Sequence, residues 1–238
     1  QRSIRRADVV LLLIDASETV SEPDKKLGRY IVDQHKPVII VINKWDLAKK
    51  MLAEQRKDGA APSDSALMEQ YREYLDAEMR GLDFAPIAFI TAQEGKNVPA
   101  LVDLTRHLFK QASERVGTGR LNAALQQVLE ERTPSAPRGR RPKIFYATQV
   151  EVRPPTIVVF VNNPEYIDPQ YQRFIVNRFR ELLPFGEVPI RLHVRSRSEK
   201  EPGATDLIAA GKKGLKKDVK PVRKKTSGGR GRGRTKRS

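Results

Sequence analysis

The chain has 238 residues, with 45 Lys and Arg against 29 Asp and Glu, a formal net charge of +16 and no cysteine. The lack of cysteine excludes disulfides, thiolate chemistry and cysteine metal ligation, and it fits a reducing, cytoplasmic setting. No apolar run approaches the roughly 18 residues of a transmembrane helix, so no membrane partner is expected.

The first half of the chain alternates apolar runs with amphipathic segments. Its predicted order is strand 7–15, helix 22–34, strand 38–42, polar helix end and loop 48–62, helix 64–79, strand 85–90 and helix 97–115. The β-branched run from Val38 to Ile42 is typical of a strand that is buried on both faces. Strands that alternate with helices form right-handed crossovers and a parallel sheet. The strand ends at Asp15, Asn43–Asp46 and Thr91–Gln93 should therefore meet at one edge.

The residues Asn43, Lys44, Trp45 and Asp46 lie at that edge, where open α/β sheets bind ligands. The N-K-x-D pattern suits guanine, because one carboxylate can accept from both N1–H and the exocyclic amino group. Adenine offers no such pair, while the Lys stem can lie against a base and the Asn can tie the loop to neighbouring backbone. The alternative is an ordinary polar loop, since four residues match by chance fairly often. Trp45 is expected to pack rather than to contact a base.

The segment Thr91–Gly95, T-A-Q-E-G, follows the third predicted strand. Its backbone N–H groups can close over a purine and donate to O6. Together, N-K-W-D and T-A-Q-E-G resemble the last two nucleotide motifs of translation-factor-type GTPases, in which the second is usually S-A-x-x-G. The whole stretch from V-L-L-L-I-D to N-K-W-D-L most resembles the second GTPase domain of the EngA (Der) family of ribosome-assembly GTPases. The resemblance implies GTP as ligand and nucleotide-binding roles for Asn43, Lys44, Asp46, Thr91, Ala92 and Gln93.

Two other GTPase motifs are missing from the sequence. It contains no G-x-x-x-x-G-K-[ST] loop to hold phosphates and no D-x-x-G before Ala7. We therefore expect a partial P-loop GTPase-type parallel sheet, without the strands that should lie beside strand 7–15. Catalytic residues and metal ligands are expected only in the intact protein. Mg²⁺ would bind there, and this chain alone should not hydrolyse GTP.

The second half has the predicted order helix 121–131, strand 143–152, strand 156–162, helix 170–183 and strand 190–195. This order predicts a small α+β domain with strand 156–162 at the centre of its sheet. The phrases P-R-G-R-R-P-K-I-F-Y-A-T-Q, P-P-T-I-V-V-F-V-N and Y-Q-R-F-I-V-N-R-F-R resemble the KH-like C-terminal domain of the EngA family. A KH module clamps nucleotide backbone with a G-x-x-G loop between helices. No such loop lies between these helices, which argues against ordinary RNA binding of that kind.

Basic residues dominate the rest of the second half. Residues 120–198 have 13 Lys and Arg against 7 acidic residues, and residues 211–238 have 13 against 1. The tail cannot bury a core, so it should be disordered in isolation and grip polyanions. In the Pro/Gly/Arg loop before strand 143–152, guanidinium groups can hold phosphates, although the loop could instead pack on the GTPase part. The RNA-contact candidates are Arg138, Arg140, Arg141 and Lys143.

The sequence thus predicts three parts: the end of a GTPase domain at 1–118, a KH-like domain at 119–198 and a disordered basic tail at 199–238. The family resemblance implies a GTP-binding factor for maturation of the large ribosomal subunit, with rRNA as partner and no DNA expected. The alternative is a non-catalytic ribosome-binding module built on a GTPase-like scaffold. A P-loop and a D-x-x-G upstream of Gln1 would favour the enzyme.

Overall fold

The computed structural model describes residues 2–54, 63–135 and 142–197. The RNA-contact candidates Arg138, Arg140 and Arg141, and the predicted tail 199–238, lie outside the described residues. Within the described ranges, no helix combines the length and the apolar character needed to cross a membrane.

The first half forms a three-stranded parallel sheet in the order β1-β2-β3. Its centre is β2, whose apolar residues are all buried because the β-branched run is covered on both faces. A short 3₁₀ turn, Ala92–Glu94, follows β3. The strands are β1 (Val10–Asp15), β2 (Val38–Asn43) and β3 (Ile87–Phe89), and the helices are α1 (Arg2–Arg6), α2 (Glu22–Asp33), α3 (Trp45–Glu54), α4 (Asp64–Glu78) and α5 (Val98–Ala112).

Helix α3 begins within the N-K-W-D residues directly after β2, whereas the sequence predicted a polar helix end and loop only from residue 48. Lys44 adopts a left-handed backbone with φ 60°, and its carbonyl accepts from the amides of Leu47 at 3.0 Å and Ala48 at 3.3 Å. The helix therefore begins at Trp45, and Asp46 lies in its first turn. Two smaller differences are the short helix α1, which has no sequence signal, and β3, which is shorter than predicted because a turn from Leu82 to Ala85 precedes it.

The second half forms a separate three-stranded sheet in the order β4-β5-β6. Strands β4 and β5 are antiparallel, β5 and β6 are parallel, and β5 is central as predicted. Helix α6 begins at Thr118, earlier than the predicted residue 121, because Gly117 is its N-cap. The elements are α6 (Thr118–Glu131), β4 (Ile144–Glu151), β5 (Thr156–Val161), a 3₁₀ turn (Pro164–Tyr166), α7 (Pro169–Leu182) and β6 (Arg191–Ser196).

Two hydrophobic cores pack on opposite faces of β2. Val38, Ile40 and Ile42 belong to a core with α2 and α4. Ile39 and Val41 belong to a second core, which continues through α5 and α6 into β5 and α7. This second core joins the two halves of the chain, because residues of both halves pack in it.

Candidate nucleotide-base site

Three strand ends meet at the edge predicted to bind a ligand. Asp15 and Asn43 are opposite each other at the last register position of β1 and β2. On the other side of β2, Ile42 is opposite Phe89, and the amide of Ile90 donates to the carbonyl of Ile42 at 2.8 Å. The segment that begins at Thr91 therefore leaves its strand beside the segment that begins at Asn43.

Two hydrogen bonds join the N-K-W-D segment to the T-A-Q-E-G segment. The side-chain oxygen Oδ1 of Asn43 accepts from the amide of Ala92 at 3.0 Å. The hydroxyl of Thr91 donates to Oδ1 of Asp46 at 3.2 Å. Thr91 is 5% exposed, whereas Asp46 is half-buried, so the carboxylate lies at the rim of the structure. These two hydrogen bonds hold the two segments in one arrangement.

Lys44 is tied to the end of β1 rather than extending freely into solvent. Its Nζ lies 2.5 Å from Oδ2 of Asp15. Asp15 also accepts from the Ser17 hydroxyl at 2.6 Å and from the Ser17 amide at 3.0 Å. Hydrogen bonds from Lys44 and then Ser17 lower the pKa of Asp15 to about 2, and the bond to Asp15 raises the pKa of Lys44. The Lys44 stem therefore spans the gap between the ends of β1 and β2.

Trp45 packs into the protein, as the sequence predicted. It is 4% exposed, and its ring centroid lies 4.5 Å from that of Phe89 and 5.6 Å from that of Tyr71. Burial raises the pKa of Tyr71 to about 12. These aromatic contacts fix the first turn of α3, and with it the backbone that carries Asp46.

The T-A-Q-E-G segment forms a turn whose residues after Thr91 are exposed. Reciprocal backbone hydrogen bonds between Thr91 and Lys96 close it, at 3.1 and 3.2 Å, and Gly95 takes a left-handed φ of 70°. The side-chain amide of Asn97 donates to the Phe89 carbonyl at 2.8 Å. Sequence analysis missed this role of Asn97, since a polar residue before a helix indicates only a cap. The Ala92 amide is bonded to Asn43, while the exposed Gln93 amide has no backbone acceptor among the described residues.

Of the RNA-contact candidates, the structure describes Lys143. Lys143 is exposed at the start of β4, where its amide donates to Oδ1 of Asn162 at 2.9 Å. The described part of the chain holds no group of three or more His, Asp or Glu that fits a metal ion. The geometry therefore assigns no ligand for Mg²⁺.

Comparison with known proteins matches both halves. Residues 1–111 match the family described as the elongation factor Tu GTP binding domain, and residues 115–195 match the KH-domain-like family of EngA bacterial GTPase enzymes, C-terminal. GTPase Der of Rhodopirellula baltica is 46% identical over 204 residues, which is 86% of this chain and 42% of that protein. GTPase Der of Halothermothrix orenii is 38% identical over 197 residues, 83% of this chain and 42% of that protein. The chain thus spans less than half the length of these curated relatives.

Proposed function

The chain belongs to the EngA (Der) family of GTPases, and on that premise we propose that it recognises the guanine base of GTP in a factor for large ribosomal subunit maturation. The observation that carries the proposal is the pair of hydrogen bonds that joins Asn43 to Ala92 and Thr91 to Asp46. These bonds fix the Asp46 carboxylate at the carboxyl edge of a parallel sheet, the place where such sheets bind ligands.

Asp46 selects the base. One carboxylate oxygen accepts from guanine N1–H and the other from the exocyclic amino group, while the bond from Thr91 occupies only part of the acceptor capacity of Oδ1. Adenine presents an acceptor at N1 and no amino group at C2, so it would face the carboxylate without either donor. Asn43 contributes by holding Ala92 in place, which keeps the two segments at a fixed separation.

Lys44 and Gln93 complete the base site in this proposal. The Lys44 stem lies against the face of the base, with its ammonium held at Asp15. Guanine O6 accepts from the Gln93 amide, because the Ala92 amide already donates to Asn43. The sequence suggested the amides of both Ala92 and Gln93 as donors to O6. In this proposal the Gln93 amide alone is the donor.

Phosphate binding, Mg²⁺ binding and hydrolysis are not assigned to the described residues. The residues at this edge offer hydrogen bonds to a base, and they offer no cluster of oxygen ligands for a hard cation. The role that we propose for these residues is therefore to select and orient the guanine base. Hydrolysis would need a phosphate-binding loop and metal ligands, and the sequence 1–238 contains no G-x-x-x-x-G-K-[ST] loop.

Asp46→Asn tests the base assignment. Hydrogen bonds to a charged group contribute about 1.5–3 kcal/mol each. We expect loss of the bond to the exocyclic amino group to weaken GTP binding by roughly 10- to 150-fold. Xanthine carries a carbonyl where guanine carries that amino group, so the new amide should improve XTP binding. Both affinities can be measured by competition against a fluorescent guanine nucleotide, using the full-length product of the gene.

A matched control is Asp103→Asn, because Asp103 is exposed on α5 and pairs with Arg106 at 3.0 Å. It should leave the ratio of GTP to XTP affinity unchanged. An Asp46→Asn protein with the wild-type ratio would show that this carboxylate does not contact the base.

The ribosomal part of the proposal rests on the KH-like match and on the basic composition of the second half. We propose rRNA as the partner, with Arg138, Arg140, Arg141 and Lys143 contacting phosphates. Co-sedimentation with large ribosomal subunits, with and without a guanine nucleotide, tests it. Binding that is indifferent to nucleotide would favour the alternative of a non-catalytic ribosome-binding module.

A further inference from the structure

Three aromatic residues and three cations lie together at one end of the second sheet. Tyr146 and Phe160 are opposite each other on β4 and β5, and their rings stack at 4.6 Å between centroids with an angle of 24°. Nζ of Lys143 lies 5.4 Å, and Cζ of Arg197 lies 5.7 Å, from the centroid of Phe145. We call this set the aromatic platform: Lys143, Phe145, Tyr146, Phe160, Arg195 and Arg197.

A β-bulge places Phe145 on this face. The register steps from Ile144 opposite Val161 to Tyr146 opposite Phe160, so Phe145 is the extra residue on β4. A bulge re-aims a side chain that strict alternation would send to the other face. The inner face of β5 carries Ile157, Val159 and Val161, which belong to the core, so the platform is the face away from that core.

Among the residues that the structure describes, the cations of the platform have no acidic partner. In the described ranges, no carboxylate lies within 4.0 Å of Lys143, Arg195 or Arg197, although ten ion pairs occur elsewhere in those ranges. All three side chains are exposed, and Arg195 is opposite Phe160. Unpaired cations beside half-buried aromatic rings form a surface suited to a flexible polyanion that also carries flat rings.

We propose that the aromatic platform binds single-stranded RNA, with one base stacked on Phe145 and with Lys143 and Arg197 on the flanking phosphates. The cation-to-centroid distances of 5.4 and 5.7 Å are near the outer limit of about 6 Å for cation–π attraction. Both long side chains can therefore swing to phosphates while the ring remains in place. Base–aromatic stacking of this kind tolerates many sequences, because every base has a π-face.

RNA fits this surface better than an acidic peptide does. A peptide would satisfy the cations, but it would leave the ring of Phe145 without a flat partner. The inference rests on the proposed function for the class of partner, and it adds a base-stacking site to the phosphate contacts suggested for Lys143. It does not use a G-x-x-G loop, so it differs from the usual KH mode of binding.

Phe145→Leu in the full 238-residue chain tests stacking. The probe is a fluorescein-labelled, unstructured oligoribonucleotide of adenine and uracil, about 12 nucleotides long to cover one site. We expect anisotropy titrations to show binding weakened by about 5- to 150-fold for Phe145→Leu, and nearly wild-type binding for Phe145→Tyr. The comparison is repeated at rising salt, because the electrostatic grip of the basic tail falls steeply with salt and stacking does not.

Phe109→Leu is the matched control. Phe109 is also a half-exposed ring with a guanidinium near it, since Cζ of Arg153 lies 5.4 Å from its centroid, but it lies on α5. It should leave RNA affinity unchanged. If Phe145→Leu and Phe109→Leu bind RNA equally well, the stacking site is wrong.

Salt dependence separates the cations from the ring. Each phosphate contact on a single strand contributes about 0.7 to the slope of log affinity against log salt. Arg197→Gln and Lys143→Gln should each reduce the slope by about that amount, whereas Phe145→Leu should leave it unchanged. Unchanged slopes for both cation variants would overturn the phosphate contacts.

A direct optical readout is available because Trp45 is the sole tryptophan and is 4% exposed. RNA should quench the added fluorescence of Phe145→Trp and leave wild-type emission unchanged. Absence of quenching at saturating RNA would contradict stacking. If large-subunit co-sedimentation fails but binding of the oligonucleotide depends on Phe145, the proposed function fails and this inference stands. Co-sedimentation together with RNA binding that is insensitive to Phe145→Leu gives the opposite result.

Discussion

Gln149 fastens β4 to the segment between α5 and α6, and replacing it should destabilise the whole described structure. It is 6% exposed, its Oε1 accepts from the Val116 amide at 2.8 Å, and its Nε2 donates to the Glu114 carbonyl at 3.0 Å and the Glu151 carbonyl at 3.2 Å. Gln149→Leu keeps the approximate size of the side chain and removes all three bonds. The Val116 amide would then lie beside an apolar side chain.

The expected loss follows from those groups. An unsatisfied buried donor or acceptor costs about 1–3 kcal/mol, and the added apolar contact returns about 1 kcal/mol. We therefore expect the free energy of unfolding to fall by about 3 kcal/mol. For a structure of this size, about 1 kcal/mol lowers Tm by 2–4 °C, so Tm should fall by about 6–12 °C. Urea titrations and thermal scans followed by circular dichroism measure both quantities.

Gln172→Leu is the control for the same change of side chain. Gln172 is half-buried and donates one hydrogen bond, to the Ile167 carbonyl at 3.0 Å. Its replacement should cost about 1 kcal/mol or less. If Gln149→Leu and Gln172→Leu lower the unfolding free energy by the same amount, the hydrogen bonds of Gln149 do not stabilise the attachment of β4 to the segment between α5 and α6.

Two further predictions concern the base site. The folded-state pKa of Asp15 is about 2 against an ordinary 3.8, so its ion pair stabilises the fold above about pH 4, and that contribution is lost as the pH falls toward 2. Partial exposure limits the effect, so Asp15→Asn should lower the unfolding free energy by about 1 kcal/mol at pH 7, with the difference vanishing near pH 2 in urea titrations; a difference independent of pH would contradict the ion pair. Asn43→Ala removes the acceptor of the Ala92 amide, so hydrogen exchange at that amide, followed by NMR, should accelerate by about 2- to 10-fold, and unchanged protection would refute the tie.

The fold could be predicted where a segment has a clear pattern of apolar residues. The run from Val38 to Ile42 predicted a strand buried on both faces, and β5 was predicted at the centre of its sheet for the same reason. The start of α3 could not be predicted, because it depends on the left-handed backbone of Lys44, which has no sequence pattern. The bulge at Phe145 was missed similarly, since strict alternation in K-I-F-Y-A-T-Q assigns that side chain to the opposite face.

The sequence indicated which residues meet at this edge of the sheet, but not the contacts that they make with one another. Motif spacing placed Asn43, Asp46 and Thr91 at one edge, because parallel strands align their carboxyl ends. The hydrogen bond that commits the Ala92 amide to Asn43 depends on the relative height of two loops, which spacing does not specify. Pairing of Lys44 with Asp15 likewise depends on the register between β1 and β2.

The hydrogen bonds between the N-K-W-D and T-A-Q-E-G segments bear on base selectivity. Two hydrogen bonds join Thr91 to Asp46 and Ala92 to Asn43, and they limit the freedom of the Asp46 carboxylate. A base that enters this edge therefore orders few protein groups, and most of its hydrogen-bond energy remains available for discrimination. The ratio of guanine to adenine binding should depend on Asp46, whereas the part of the affinity that all purine nucleotides share should depend on the residues that hold the phosphates. A variant at Asp46 should therefore weaken GTP binding and leave ATP binding almost unchanged, because adenine offers the carboxylate neither donor.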